Sequence, residues 1–357
     1  MIFKKILPKW FFSDFFLDWK LENWQEIYKN QTCLLNIYYQ GCYRSLPQVI
    51  VFDNTKENLD LSKINFQLTS HKFQIDESLE AEKIFKLYKQ FIYLHKRKLF
   101  NETCLRLVSI KVQQKSTNSK CILFQLQTSD YFDYVQTNLC LDAKLNKNHI
   151  SLREKVHIRD NNYQLEELED SPLANILGIN ILIFTSDGTL ILQKRSAHTL
   201  VRPNQICSSA SGTLTKADVP TYQQEFSADK LLPAFLREMF EEIGLEPSSI
   251  TESSVKFLGV LRELNRGGQP ELFLSAYIDS DKNQVVDAYR NAIDKFESIY
   301  LLFFEMGSLA NEPLDSLERQ SKFLSKVDEL IEQYEKTIAV PLMAHLALWC
   351  RSRLNWF

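Results

Sequence analysis

A mixed α/β fold, with helices covering a sheet that contains hairpins, is what the sequence predicts for its second half. Three observations predict it. Two apolar runs, Ile176–Thr185 and Thr189–Gln193, flank Ser186-Asp187-Gly188, and an Asp-Gly turn between such runs marks a β-hairpin. Residues Leu231 to Ile243 read as a helix with Gly244 as its C-terminal stop. Eight of the nine glycines fall between 178 and 307, leaving Gly41 alone in the first half. Tight turns therefore concentrate in that segment.

The elements follow in chain order. In the first half, Cys33–Tyr39, Gln48–Phe52, Leu105–Val112 and Ile122–Leu126 read as strands. Between them, Ser78 to His95 carries Leu79, Ile84, Leu87, Tyr88, Phe91 and Leu94 at helical spacing. The run His95-Lys96-Arg97-Lys98 complements that helix's C-terminus. Tyr131, Phe132 and Tyr134 read as packing aromatics rather than a base-stacking platform. No chemical constellation stands out here. The acidic stretch from Glu166 to Pro172 reads as a linker. Beyond it, a polar loop runs from Asn204 to Gly212. Strands at Val255–Leu261 and Leu272–Ile278 flank Asn265-Arg266-Gly267-Gly268, and Ile299–Phe304 is a further strand. Helices at Leu317–Tyr334 and Val340–Arg351 close the chain, with Trp349, Trp356 and Phe357 as apolar anchors. The expected division is an α+β domain over 1–169, a second domain over 170–310, and a helical extension over 311–357 that packs on the second domain.

Composition narrows the partners. At 357 residues the chain is too long for one ordinary domain. With 45% hydrophobic and 24% charged residues it is of the globular class, which excludes wholesale disorder. Forty-two Lys and Arg against 45 Asp and Glu give a net charge of −3. That balance offers no general attraction to nucleic acid or anionic membrane, so no nucleic-acid partner is expected. Seven scattered cysteines without a C-x-x-C pair fit neither a disulfide framework nor a zinc site, and point to reduced thiols in the cytoplasm. Lys9, Asp14 and Asp18 interrupt the apolar start MIFKKILPKWFFSDFFLDW, which no small-residue cleavage site follows. Without an uncharged apolar stretch of about 20 residues, no membrane span is expected.

Chemistry concentrates in Arg237-Glu238-Met239-Phe240-Glu241-Glu242-Ile243-Gly244-Leu245. At helical spacing Glu238, Glu241 and Glu242 share one face, while Leu232, Leu236, Met239 and Ile243 line another that faces the sheet. Like charges so placed repel by several tenths of a kcal/mol per exposed pair. A divalent cation would neutralise them, and Mg²⁺ and Mn²⁺ prefer such oxygen ligands. Arg237 braces Glu241 at i+4. On the glutamates alone, a solvated acidic face is the better explanation, and only the wider pattern reverses it.

These nine residues fit R-E-U-x-E-E-x-G-U, U being apolar, at all seven specified positions. The segment resembles the C-terminal part of the Nudix box, and the resemblance covers roughly 170 to 305. It implies a Nudix-type α/β/α sandwich with a mixed sheet. It also implies a pyrophosphatase-like hydrolase, dependent on Mg²⁺ or Mn²⁺, that cleaves a nucleoside diphosphate linked to another moiety. By motif position the metal ligands are Glu238, Glu241 and Glu242, with Arg237 as the orienting residue. The N-terminal half of the box departs from the family pattern. Its glycine and glutamate precede the arginine by fourteen and eight residues, where Gln223 and Asp229 stand here. An insertion over much of 213–228 makes Gly212 the counterpart of the glycine and leaves Asp229 or Glu225 to replace the glutamate. Such an insertion costs least in a loop.

For the general base, Glu271, Asp279 and Glu297 are candidates by position. Lys194 and Arg195 end the second strand, where they can reach substrate phosphates. Two other readings compete. One is a Nudix-like module that binds a nucleotide or a protein without hydrolysis. The other is an enzyme similar to isopentenyl diphosphate isomerases, with Cys207 as the loop cysteine. No G-x-S-x-G elbow, P-loop or G-x-G-x-x-G is present. The first half is left with three roles: covering the cleft, forming a homodimer, or binding a partner.

Overall fold

A computed structural model describes residues 23–94, 100–116, 119–146, 148–220, 224–250 and 254–354. The apolar N-terminal run, the basic run at 95–98, and Trp356 and Phe357 lie outside them. The chain is mixed α/β, with mixed sheets and C-terminal helices. Its strands are β1 (Leu34–Tyr39), β2 (Cys42–Asp53), β3 (Ile64–Lys72), β4 (Thr103–Ser116), β5 (Ser119–Asp130), β6 (Gly178–Phe184), β7 (Thr189–Arg195), β8 (Ile206–Cys207), β9 (Ala210–Thr213), β10 (Glu225–Ser227), β11 (Val255–Glu263), β12 (Gln269–Tyr277) and β13 (Ser298–Glu305). The principal helices are α1 (Ala81–Leu94), α2 (Leu232–Ile243), α3 (Lys282–Tyr289), α4 (Leu317–Tyr334) and α5 (Val340–Leu354).

Nine strands form one sheet in the order β1-β2-β11-β12-β6-β7-β13, with β9 paired to β6 and β8 to β7. Only β12 and β6 run parallel in it. The remaining four form a second sheet, β10-β3-β5-β4, in which β3 and β5 are parallel. Strand β6 is central and wholly buried, which is why its sequence GINILIF is an almost unbroken apolar run. Alternation sends Ile179, Ile181 and Ile183 into a core shared with α2 and the second sheet. Leu182 and Phe184 point to the opposite face, where α4 and α5 pack. Helix α5 is buried nearly all round, and its Trp349 stacks on Phe184 with ring centroids 4.6 Å apart.

The expected boundary near residue 170 does not separate the sheets. Strand β2 pairs with β11 from Gln48 to Asp53, and β10, inside the expected insertion, pairs with β3. Leu105 and Leu177 of the two halves also exchange a backbone hydrogen bond of 2.7 Å. The acidic stretch expected as a linker is packed in. Leu168 and Ser171 are buried, and Arg106 donates to the carbonyls of Leu168 and Ser171 at 3.1 and 2.7 Å. Its partners come from more than sixty residues away, so local composition reads as solvent-exposed when it is not.

Strand β3 and helix α3 were not expected. Helix α3 starts at a capping box, in which Asp281 accepts from the Gln284 amide at 2.9 Å and Gln284 accepts from the Asp281 amide at 2.8 Å. Val285 is its one fully buried side chain, so hydrophobic periodicity gave little signal. Helix α2 stops where Gly244 takes φ +81°, and a Cβ there would lie 2.3 Å from the Ala288 carbonyl oxygen of α3. On α2 the deeply buried apolar residues are Ala234, Phe235, Met239 and Ile243, while Leu232 and Leu236 are only partly covered.

Candidate functional site

Strands β6 and β7 pair only where their hairpin closes, at Ile183–Ile191 and Phe184–Leu190. They then diverge, and β9 and β8 fill the fork. Ser209 holds the divergence. Its hydroxyl accepts from the Ile183 amide at 2.7 Å and donates to the Ile191 carbonyl, while its own carbonyl takes the Gln193 side-chain amide at 2.7 Å. Helix α2 lies beside the fork with its carboxylates toward it.

Glu242 is 4% exposed and reaches into the fork. It accepts from the Ser211 amide at 2.8 Å and the Gln193 side chain at 3.1 Å, with Arg195 at 3.7 Å. Glu238, also buried, lies against β9, where a Cβ on Gly212 would come within 2.1 Å of its carboxyl carbon. Only glycine leaves that carboxylate its place. Arg237 sits 3.1 Å from both Glu238 and Glu241. Desolvation, then the charge of Glu242, pushes Glu238 up to about 9. Desolvation pushes Glu242 up to about 8 although Arg195 opposes it.

These groups line a cavity of about 790 Å³, which also takes in Arg195, Arg202, Arg266, Glu271 and Glu297. Arg237, Glu238, Glu241, Glu242, Arg195 and Gly212 thus come together. Lys194 does not line the cavity. Alternation along β7 turns it to the other face, and its ammonium donates to the Asn204 carbonyl. Among the candidate bases, Glu271 and Glu297 line the cavity. Glu271 is held by Arg202 at 2.6 Å and Asn180 at 3.2 Å, and Glu297 by Arg195 at 2.8 Å. Asp279 is exposed beyond the far end of β12, roughly 25 Å along the strand from Glu271. Asp229 turns to Ser227 and Lys230, Glu225 is exposed on β10, and neither lines the cavity. Asp218, within the insertion, meets Arg237 at 3.3 Å instead. Cys207 is buried among apolar residues outside the cavity, and burial pushes its thiol up.

Several site residues carried no sequence signal. Arg202, two residues before the polar loop and at φ +53°, bridges Glu263 at 2.7 Å and Glu271 at 2.6 Å. Arg266 donates to the Tyr134 hydroxyl at 2.8 Å, and that hydroxyl donates to Gln269 at 2.6 Å. Tyr131 and Tyr134, read as packing aromatics, stand on the cavity wall with Phe100 and Glu102. Among the described residues, no three acid, imidazole or thiol side chains converge as a ready-made metal cage. Each helix glutamate instead has a guanidinium beside it.

No family model matches the chain, and no curated protein matches it. Solved structures that match include that of DR0079 from Deinococcus radiodurans, at 15% identity and a TM-score of 0.25, covering 45% of this chain and 83% of that one. A likeness of that degree supports no inference, and what the site does must be read from its own residues.

Proposed function

We propose that the chain is a Nudix-type hydrolase that cleaves the diphosphate bond of a nucleoside diphosphate linked to another moiety, on a Nudix-like α/β/α framework. The supporting observation is the burial of Glu238 and Glu242 beside Glu241 at one cavity wall, on the helix that bears the box-like segment. Acids kept in excess where they are desolvated are a mark of functional sites.

The resemblance implies Mg²⁺ or Mn²⁺, and the donor set fits such an ion in its chemistry. Three carboxylates supply hard oxygens, and a cation would relieve the desolvation that pushes Glu238 and Glu242 up. Glu238, Glu241 and Glu242 would hold it in exchange for their guanidinium contacts. When bound, it would neutralise diphosphate charge and acidify a water. Arg237 orients Glu238 and Glu241, and Asp218 braces Arg237. Ser211 and Gln193 fix the Glu242 carboxylate. In this reading half-buried Glu297 would take the proton of the attacking water and pass it to solvent. Arg195, between Glu242 and Glu297, keeps the two acids apart.

A panel of nucleoside diphosphate derivatives with Mg²⁺ or Mn²⁺ tests the reading, and at least one is expected to be cleaved. Glu241→Gln and Glu242→Gln should each lower turnover by at least ~10²–10³-fold. Unchanged turnover in both variants refutes the assignment. One observation favours the binding-module reading: all three glutamates already have guanidinium partners. Calorimetry that finds nucleotide binding without metal-dependent turnover would decide for it.

A further inference from the structure

The nine-stranded sheet ends on β13, and among the described residues no strand pairs with its outer edge. Edge strands are usually blunted by lysine, proline or an inward charge, because their open backbone groups recruit other strands. Strand β13 reads SIYLLFFE, with Glu305 as its one charged residue and no proline or glycine. Against β7 it is regular from Tyr300 to Glu305. Its faces are packed: Leu301 and Phe303 lie against the core shared with α2, and Leu302 and Phe304 against the one shared with α4 and α5. What stays open is the edge. Exposed apolar side chains concentrate beside it, since Val286, Ile293, Ile299 and Tyr300 all fall within 286–300, with Ile293 62%, Ile299 53% and Tyr300 47% exposed. The hydroxyls of Tyr289 and Ser298, 2.7 Å apart, tie the end of α3 to the start of β13.

We infer that β13 is a homodimer interface, on which the same strand of a second copy adds antiparallel across a twofold axis at Tyr300. Charge selects this occupant. Exposed Lys295 and exposed Glu305 stand five residues to either side of Tyr300. An antiparallel copy centred there brings Lys295 of each chain to Glu305 of the other. Glu305 lies 3.5 Å from Lys282 but keeps 75% of its side chain exposed, so it is open to a second cation. An axis at Leu301 would instead set Glu297 against Glu305, and like charges directly opposite are destabilising. With the axis at Tyr300, the exposed Ile299 and Tyr300 of the two copies meet, which gives an apolar centre with a charged rim. A twofold contact closes at two copies and leaves neither edge open. About five paired residues a side, with Ile293 and Val286 flanking them, cover on the order of 1,000 Å², the size at which specific interfaces begin. Strand β13 starts directly after Glu297, which lines the cavity, so the second copy stands beside the cavity mouth. The inference is independent of the hydrolase reading.

Sedimentation velocity of the full chain at rising concentration should show a monomer–dimer equilibrium, with the dimer dominant at tens of micromolar. Ile299→Lys combined with Tyr300→Lys should leave a monomer under the same conditions. Both side chains are exposed, and an unchanged Tm would show that the double variant folds. Lys295→Glu alone and Glu305→Lys alone should each weaken the dimer by about tenfold. The two charge changes together should restore it, which neither a destabilised fold nor an unspecific apolar contact would do. A monomer at every concentration overturns the inference, whether another protein or the chain's own N-terminal residues cover the edge. So does a dimer that survives Ile299→Lys with Tyr300→Lys, or one that is indifferent to both single charge changes.

Discussion

Two buried charge clusters of this molecule obey the same electrostatics with opposite outcomes. In the first, Arg153 is 2% exposed and donates to both Asp142 oxygens at 2.6 and 2.7 Å, to the Tyr28 hydroxyl at 2.6 Å, and to the carbonyls of Leu264 and Asn265. Nearby, Glu166 lies 3.4 Å from His157 and 3.8 Å from Arg262. Burial pushes Glu166 up, but the His157 contact and the Arg262 charge outweigh it and hold it down at about 2. Here acids and bases are matched, and the cluster pins the segment around 142–166 to the β11–β12 hairpin. In the second cluster, Glu238, Glu241, Glu242 and Glu297 share Arg195 and Arg237 beside an open cavity. Desolvation wins there, and two carboxyls rise to about 9 and about 8. Matched burial builds a clamp, whereas unmatched burial beside a cavity leaves carboxyls that hold their protons far above the usual range.

The clamp can be broken most severely. Arg153→Ala strands Asp142, whose two oxygens both bond to that guanidinium, and should cost about 3–5 kcal/mol in urea unfolding. A loss under about 1 kcal/mol would mean the cluster is not a clamp. Gly212→Ala puts a methyl where the Glu238 carboxyl lies; that carboxyl ends a flexible side chain and can swing aside, so most of the turnover should be lost while stability in urea unfolding changes by less than about 1 kcal/mol. Glu242→Gln should act in the opposite direction to Arg153→Ala on stability. The native carboxyl titrates near 8 and an unfolded one near 4.5, so its destabilising ionisation grows as pH rises from about 4.5 to 8. The variant should therefore gain about 1–3 kcal/mol at pH 8, fading to nothing near pH 4.5, as thermal melts across that range would record. Equal stability at both pH values contradicts the unmatched burial. The smallest effect belongs to Lys194→Ala, outside the cavity, which should leave turnover intact and stability within about 0.5 kcal/mol.

Much of the second half was legible because its signals are local. The bounds of α4 match the apolar spacing of Leu317–Tyr334, α2 differs by one residue, and the Asp-Gly hairpin lies at Gly188. The nine-residue segment brought Arg237 and the three glutamates to one helix, and the fold brings them to one cavity. The stretch just before the polar loop and the insertion resisted reading. Arg202 and Asp218 take their roles from Glu263, Glu271 and Arg237, which lie between 19 and 69 residues away. Asp229 and Glu225, the expected replacements for the box glutamate, both lie off the cavity, because counting along a chain cannot follow a backbone that leaves to pair β10 with β3.

By itself the sequence determined periods of two and of 3.6, glycine stops, and which acids share a helical face, since these depend on neighbours within a few residues. The tertiary structure alone decided that the first half joins the large sheet, that Lys194 turns away while Arg195 turns in, and that Tyr131 and Phe100 share a wall with the glutamates. Each of those outcomes is a contact between distant segments. Its free energy comes from burial and pairing that exist only once both segments are in place.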